Sequence, residues 1–163
     1  MTLSKLNKSI IQCRKCNRLV HFREKIAHEK RRQYFDQDYW GKPITGYGDP
    51  NAKLLMVGLA PAAHGGNRTG RVFTGDKSAD FLFKCLYESG FSNQSLSVNK
   101  NDGLKLNNLY LTTALKCVPP EDKPTSSELK TCFNFFSEEI SSLKNIRIIL
   151  ALGKIGHDAC INY

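Results

Sequence analysis

The 163-residue sequence has no apolar run long enough to cross a membrane, which takes about 20 consecutive residues. Its first residues, MTLSKLNKSIIQCRKC, also lack the apolar core and small-residue cleavage site of a secretory signal. We therefore expect a cytoplasmic protein with no membrane partner. The length is that of about one domain, and we expect a single domain over residues 1–163 that acts as a monomer.

Acidic residues are few as well. There are 15 Asp and Glu against 24 Lys and Arg, which gives a formal net charge of +9. A basic surface gains affinity for nucleic acid by releasing the counterions held on the phosphates. The charge thus favours a polyanionic partner only modestly over a surface that is merely basic.

Internal repeats and low-complexity tracts are missing too, and the remaining pattern predicts an α/β fold. Apolar runs at 53–57, 109–115 and 146–152 are typical of buried strands, and each precedes a segment with helical spacing. This alternation predicts a three-layer α-β-α arrangement with a central parallel sheet. The helices are expected over residues 77–89, 125–143 and 154–162.

The first 52 residues predict an arm that carries cysteines, before a core over 53–163. We expect helices over 1–12 and 21–35. The segment 36–52 is rich in glycine and proline and is interpreted as a loop. One domain with an N-terminal arm is therefore the expected organisation.

Six cysteines are unexpected in a cytosolic protein, where disulfides are rare. Cys13 and Cys16 form a Cys-x2-Cys pair, and Cys117 and Cys132 follow as Cys-x14-Cys. This spacing favours a [4Fe-4S] cluster, while a zinc site and no metal at all remain open. The other two cysteines, Cys85 and Cys160, lie in helical patterns and are expected to be core thiols.

A glycine-rich segment, GLAPAAHGGNRTGRVFTGD at 58–76, follows the first strand of the core. Ligands of open α/β sheets lie beyond the carboxyl ends of the strands, so we expect the active site here. The segment has the spacing of neither a Walker loop nor a dinucleotide-binding fingerprint.

Five side chains of this segment carry candidate chemistry. Arg68 and Arg71 are candidate phosphate ligands, and Phe73 is a candidate platform for a stacked base. Asp76 is expected either to position water or to cap the next helix. His64 is either a general base or proton donor, or an ordinary polar loop residue.

The same segment resembles the iron–sulfur uracil-DNA glycosylases, and within them the broad-specificity branch called family 5. The resemblance also rests on Cys13-Arg-Lys-Cys16, on GYGDP at 46–50 and on LTTALKCVPPEDKPT at 111–125. It implies an enzyme of base-excision repair that flips a damaged base out of double-stranded DNA and hydrolyses its N-glycosidic bond. Uracil is the main substrate that it implies, with deaminated purines such as hypoxanthine beside it.

The resemblance also implies roles for individual residues. It implies a [4Fe-4S] cluster on Cys13, Cys16, Cys117 and Cys132. Asp76 and His64 are the expected catalytic residues, and Arg68 and Arg71 the expected DNA contacts. The expected substrate-binding residues are Gly58, Leu59, Ala60, Pro61, Ala62, Ala63, Gly65, Phe73 and Thr113.

Three departures from the family pattern qualify this expectation. Ala60 occupies the position of a water-activating acid in other branches, so Asp76 is expected to replace that acid. Thr113 occupies a position where many relatives carry Asn, which alters base reading. The chain stops at Tyr163, before a further strand and a His-Pro-Ser-type motif of the relatives.

The ending leaves three expectations open: a truncated chain lacking its last strand, a short variant completed by another chain, or a minimal enzyme. Two alternatives to an active enzyme also remain. One is a catalytically impaired fragment that only binds nucleic acid, stabilised by its metal cluster. The other is a zinc-bound structural or interaction protein, which would be colourless.

Overall fold

The computed structural model describes residues 2–163 and begins with a helical arm. Helix α1 covers Leu3–Ile11 and α2 covers Asn17–Glu29, followed by a 3-10 turn at Arg32–Tyr34. The expected second helix, 21–35, is thus displaced towards the N-terminus. Its end is set by Lys30, whose φ of +53° is incompatible with a continued right-handed helix.

The core follows the expected alternation of strands and helices. Its elements in chain order are β1 (Tyr47–Gly48), β2 (Leu54–Gly58), α3 (Gly66–Thr69), α4 (Lys77–Glu88), β3 (Leu109–Thr113), α5 (Ser126–Ser142), β4 (Ile148–Ala151) and α6 (Lys154–Ile161). A second 3-10 turn covers Pro120–Asp122. Helix α5 begins with the capping box that the sequence predicts, in which Thr125 and Glu128 satisfy each other's backbone N–H groups.

The four strands form one sheet in the order β1-β3-β2-β4. Strand β2 lies between β3 and β4 and pairs with both in parallel. The α/β fold is therefore confirmed, but the sheet is not wholly parallel because β1 pairs antiparallel with β3. Strand β1 falls inside the expected loop, and its two residues are too few to show an alternating pattern.

Both faces of the sheet are covered by apolar side chains that alternate along the strands. Met56 and Leu111 pack with Phe83 of α4 on one face. Leu55 and Tyr110 pack with Phe136 of α5 on the other. Since successive strand residues point to opposite faces, this alternation places helices on both sides of the sheet.

Strand β4 was expected to be buried and is exposed instead. Ile148 is 63% exposed and Leu150 is 45% exposed. The reason is position: β4 forms an edge of the sheet and, within residues 2–163, pairs with β2 alone. Cys85 is also exposed, contrary to expectation, because α4 turns Ala79, Phe83 and Leu86 towards the core.

No helix among the described residues is both long enough and apolar enough to span a bilayer.

Candidate active site and metal centre

A cavity of about 740 Å³ opens at the carboxyl edge of the sheet, where the sequence predicts the active site. Its volume lies within the usual range for small-molecule sites. Four parts of the chain line it: Phe22 of α2 with the turn that follows α2, the loop 62–65, the start of α4, and the turn after Cys117. The predicted residues Ala62, Ala63, His64, Gly65 and Asp76 all face this cavity.

The carboxylate of Asp76 is fixed on the cavity wall by its second role as a helix cap. Its Oδ1 accepts a hydrogen bond of 2.9 Å from the backbone N–H of Ala79 and so caps α4. A Cβ on Gly65 would collide with Oδ2 of the same carboxylate. The absence of a side chain at Gly65 therefore provides the space that Asp76 occupies, and capping and cavity lining coexist.

The imidazole of His64 is held from its Nδ1 side. Nδ1 lies 2.8 Å from the hydroxyl oxygen of Tyr39, and that oxygen accepts the backbone N–H of Arg31 at 3.2 Å. Burial, followed by the positive charges of Arg31 and Arg68, lowers the pKa of His64 below its ordinary value of 6.5. This shift favours the neutral imidazole, and its Nε2 takes no part in the contact with Tyr39.

Phe73 lies over the carboxyl end of β2. A Cβ on Gly58 would come within 2.6 Å of the Phe73 ring, so the ring and the bare backbone of Gly58 fit each other. Phe73 holds a φ of +47°, a left-handed conformation that is unusual for an aromatic residue. Gly58 pairs with Thr113 across the two strands, so all three residues are neighbours.

Thr113 is buried, and its hydroxyl donates a hydrogen bond of 2.9 Å to the carbonyl of Leu115. The remaining predicted substrate residues, Leu59, Ala60 and Pro61, connect β2 to the cavity loop. Ala60 packs against the apolar cluster that surrounds Cys117 and Cys132. The loop 58–65, called the base loop because the sequence predicts base contacts there, therefore contacts the cysteine region.

Arg68 and Arg71 were expected to contact phosphate, and the structure gives both of them internal partners instead. Arg68 donates to the carbonyls of His64 and Gly75 at 2.7 and 2.8 Å, and its guanidinium stacks on Tyr34. Arg71 pairs with Asp102 at 2.7 Å, and both side chains are almost fully buried. A phosphate contact by either arginine would require these bonds to break.

The Arg71 contact also controls the charge of its partner. Burial alone would raise the pKa of Asp102, but hydrogen bonds from Arg71 and from the amides of Val98 and Leu104 outweigh it. The net result is a pKa well below the ordinary value, so Asp102 is ionised at neutral pH. The two side chains therefore hold the loop before β3 against the loop that follows β2.

Several residues of the cavity wall are not among the predicted site residues. Arg31, Lys77 and Asp80 are exposed and line it, together with Glu121 and Asp122 from the turn after Cys117. Glu121 and Asp122 both hold positive φ values, near +55°. Two consecutive prolines before them mark a turn in the sequence, but only the fold brings that turn to the cavity.

Cys13, Cys16, Cys117 and Cys132 line one small cavity between the arm and the core. Cys16 is the residue before α2, Cys117 follows β3, and Cys132 lies on α5. Among residues 2–163, no three His, Cys, Asp or Glu side chains converge tightly enough to hold a single ion. The four thiols surround a space instead.

The surroundings of the thiols contain two N–H donors. Nη1 of Arg23 lies 3.0 Å from the Cys117 sulfur, and the backbone N–H of Lys116 lies 3.3 Å from the Cys132 sulfur. Burial raises the pKa of the Cys132 thiol to about 12. Thiolates in this position therefore need positive charge beside them, which a metal group and Arg23 would both supply.

Comparison with known proteins finds one family along most of the core. The family model of the uracil DNA glycosylase superfamily matches residues 45–163. A type-5 uracil-DNA glycosylase of Pyrobaculum aerophilum is 43% identical over 152 residues, which are 93% of this chain and 66% of the relative. Type-5 uracil-DNA glycosylases of Mycobacterium bovis and Thermus thermophilus are 46% and 44% identical over 153 residues each.

The coverage of these relatives is partial. This chain is matched over 93% of its length by the mycobacterial protein and over 94% by the Thermus protein, but it spans only 57% and 69% of those proteins. The resemblance therefore covers nearly all of this chain and between about half and two thirds of each relative.

Proposed function

The chain belongs to the uracil DNA glycosylase superfamily, and from that premise we propose that it hydrolyses the N-glycosidic bond of uracil in double-stranded DNA. This reaction is the first step of base-excision repair. Deaminated purines such as hypoxanthine are proposed as further substrates. The observation that carries the proposal is the cavity at the carboxyl edge of the sheet, which combines a fixed carboxylate with a neutral imidazole.

The substrate nucleotide enters this cavity after leaving the base stack. Unstacking costs a few kcal/mol, and the cost is lowest for a mispaired base such as uracil opposite guanine. Phe73 is proposed to stack on the flipped base, a contact worth about 1–3 kcal/mol in single-strand binders. Gly58 supports this role because its missing Cβ is what lets the Phe73 ring lie against the strand end.

Asp76 is proposed to stabilise the positive charge that develops on the sugar, or to position the attacking water. Its cap hydrogen bond to Ala79 holds Oδ1, so Oδ2 is the oxygen that acts. A preorganised charge contributes more than a mobile one because it needs no reorganisation during the reaction. Ala60 supplies no acid, so Asp76 is the carboxylate proposed for this task.

His64 is proposed to donate a proton or hydrogen bond to the departing base. The backbone N–H of Arg31 can only donate, so the Tyr39 oxygen accepts this hydrogen bond. The hydroxyl hydrogen of Tyr39 is then free to be donated to Nδ1 of His64. We infer that the proton of the neutral imidazole is then on Nε2. A neutral Nε2–H donor beside a developing negative charge is the arrangement that promotes departure of a base.

Cys13, Cys16, Cys117 and Cys132 are proposed to hold a [4Fe-4S] cluster. Four cysteines around one cavity match the donor set of such a cluster, and a single zinc ion would need sulfurs converging at about 2.3 Å from one point. When bound, the cluster supplies a rigid connection between the arm and the core. Ala60 of the base loop packs against the apolar cluster that contains Cys117 and Cys132, so the base loop would lie beside the bound group.

The cluster proposal is tested by metal analysis of anaerobically purified protein. We expect iron and acid-labile sulfide, with broad absorbance near ~400 nm, whereas zinc is colourless. Cys117→Ala is expected to lose iron, and Cys85→Ala, which removes an exposed thiol outside the cavity, is the matched control. Iron content unchanged in Cys117→Ala would contradict the assignment.

DNA is the proposed partner of the cavity rim, where Arg31 and Lys77 are exposed. We further propose that the chain is one domain that acts as a cytoplasmic monomer. Light scattering on the purified protein, alone and with an oligonucleotide, tests the oligomeric state.

The activity is tested on an oligonucleotide with a single U·G pair, scored by strand cleavage after alkali. We expect cleavage by the wild-type protein and its loss in Asp76→Asn. Cleavage that persists in Asp76→Asn would contradict the role of this carboxylate. Binding without any cleavage would contradict the enzyme and favour a nucleic-acid-binding module.

A further inference from the structure

Arg23 is a buried cation aimed at the cysteine cavity. Its side chain is 2% exposed, Nη1 donates to the Cys117 sulfur at 3.0 Å, and Nη2 donates to the carbonyl of Cys13 at 3.2 Å. Among residues 2–163, its Nε is buried without a hydrogen-bond partner. One guanidinium therefore touches both halves of the cysteine set, the pair on the arm and the pair on the core.

Within residues 2–163, the charge of Arg23 has no carboxylate partner in a salt bridge. In the part of the chain that the structure describes, every salt bridge involves other residues. A buried and unpaired guanidinium is costly, because it loses hydration without gaining a counter-charge. The Cys117 sulfur that Arg23 contacts belongs to the set of four cysteines, which would supply the counter-charge once they are deprotonated as metal ligands.

The backbone of Arg23 is also hydrogen-bonded to the core. The Asn67 side chain donates to the Arg23 carbonyl at 3.2 Å, and the Asn67 backbone N–H donates to the carbonyl of Ala62 at 3.0 Å. Asn67 is itself buried, so this link between α2 and the base loop lies inside the protein. The backbone of Arg23 is thus anchored, and its guanidinium is buried and held by its contacts with the Cys117 sulfur and the Cys13 carbonyl.

From this geometry we infer that Arg23 is the positioning residue of the cysteine-held cluster, which compensates its net negative charge and hydrogen-bonds its Cys117 ligand. The inference rests on the [4Fe-4S] cluster proposed above. Cluster potentials depend on net charge and on hydrogen bonds to the sulfurs. A positive donor beside one sulfur stabilises the more negative, reduced state, so Arg23 raises the reduction potential.

The same contact slows loss of the cluster. A ligand whose lone pairs and charge are satisfied by a neighbouring donor is harder to displace, and removing such outer partners commonly costs about 10–100-fold in metal affinity. A purely structural arginine that only joined α2 to the Cys13 carbonyl would affect stability but would not alter the potential.

The test compares Arg23→Gln with the wild-type protein in two measurements on cluster-loaded samples: the midpoint potential, and the rate of iron release to a chelator. We expect a more negative potential and release faster by about tenfold or more. The control is Lys25→Gln, which removes an exposed cation on the same helix as Arg23 that pairs with Glu29. It is expected to match the wild type in both measurements.

Arg23→Lys keeps the inference testable if Arg23→Gln does not fold. A single ammonium group cannot contact both the Cys117 sulfur and the Cys13 carbonyl, so iron release is again expected to be faster than in the wild type. If either folded variant had the same midpoint potential and iron-release rate as the wild type, the inference about Arg23 would be overturned. The proposal of the cluster itself would not be affected. A wild-type protein without iron and sulfide would overturn both, while uracil release by that protein reports on the proposed activity separately.

Discussion

Tyr39 sets the hydrogen-bonding state of His64. The two side chains meet edge to face, with the Tyr39 hydroxyl 2.8 Å from Nδ1 of the imidazole. Because the Tyr39 oxygen also accepts a hydrogen bond from the backbone N–H of Arg31, the hydroxyl hydrogen points at Nδ1 and favours the neutral imidazole. A residue of the arm thus determines which nitrogen of a core residue is left to act in the cavity.

Tyr39→Phe is expected to shift the titration profile of His64 to higher pH. In the wild-type protein, burial and the positive charges of Arg31 and Arg68 hold the pKa of His64 below its ordinary value of 6.5. Loss of the Tyr39 donor removes a hydrogen bond to the neutral imidazole, which raises the pKa of His64. The ring-proton chemical shifts of His64, followed by NMR across a pH series, check the shift.

The control for this series is His157→Gln, which changes an exposed histidine on α6 outside the cavity and should leave the profile unchanged. His64→Gln should slow release by about 10²-fold or more if the imidazole is the donor to the leaving base. A Tyr39→Phe profile that superimposes on the wild-type profile would show that the hydroxyl does not set the state of His64.

Asp76 allows its structural and chemical roles to be separated by substitution. Asn caps helices about as well as Asp, so Asp76→Asn should keep α4 stable while removing the charge from the cavity. Asp76→Ala removes both and should also cost about 0.5–2 kcal/mol of unfolding free energy. Denaturation midpoints and release rates, measured on both variants, distinguish the two effects.

Asp80→Asn is the matched control, because Asp80 is an exposed carboxylate on the same helix and the same cavity wall. It should change the release rate far less than Asp76→Asn. Equal losses in the two variants would mean that the general negative charge of the wall matters and that Oδ2 of Asp76 has no special position.

Salt dependence of DNA binding distinguishes the arginines that face the cavity from those that are buried. Arg31 is exposed on the rim, so Arg31→Gln should reduce the slope of log affinity against log salt by about 0.9 if it neutralises one phosphate. Arg71→Gln breaks a buried pair with Asp102, so it should lower stability and leave the slope unchanged. Fluorescence anisotropy across a salt series measures the slopes.

A changed slope in folded Arg71→Gln, together with an unchanged slope in Arg31→Gln, would reverse this assignment. It would restore the sequence-based prediction that arginines of the glycine-rich segment bind the DNA backbone.

The contrast between these arginines shows where sequence patterns stop being informative. Apolar runs predict β2 and β3 well, since burial in the sheet requires a continuous apolar stretch. The same pattern does not predict that β4 is exposed, because the sequence of a strand does not show whether it lies in the centre or at the edge of the sheet. A guanidinium is equally compatible with a phosphate and with a buried aspartate, so the sequence alone could not predict the buried pair of Arg71 with Asp102.

The candidate site shows the same division. The cavity location, with His64 and Asp76 on its wall, follows from the glycine-rich segment after β2 and from the general placement of ligands in α/β sheets. Tyr39 and Arg23 were not found, since each acts through a contact with a residue distant in sequence. No local spacing marks such pairs, and only the fold brings them together.

The buried pair of Lys116 and Glu139 provides a test of how the sheet is fastened to α5. Lys116 is 1% exposed and Glu139 is fully buried, and Nζ lies 2.6 Å from both the Glu139 carboxylate and the Thr112 hydroxyl. Glu139 also accepts the backbone N–H of Gly46 at 2.9 Å. Lys116→Met leaves this carboxylate without its counter-charge and should cost about 3–5 kcal/mol of unfolding free energy.

The double variant Lys116→Met with Glu139→Gln should recover a substantial part of that loss, because the amide oxygen still accepts from Gly46 and no buried charge remains. Lys154→Met, which opens an exposed pair with Asp158, is the control and should leave the urea midpoint unchanged under anaerobic conditions. If Lys116→Met were as stable as this control, the carboxylate would be satisfied by its other donors. The packing of Tyr110 against Phe136 would then be what fastens β3 to α5.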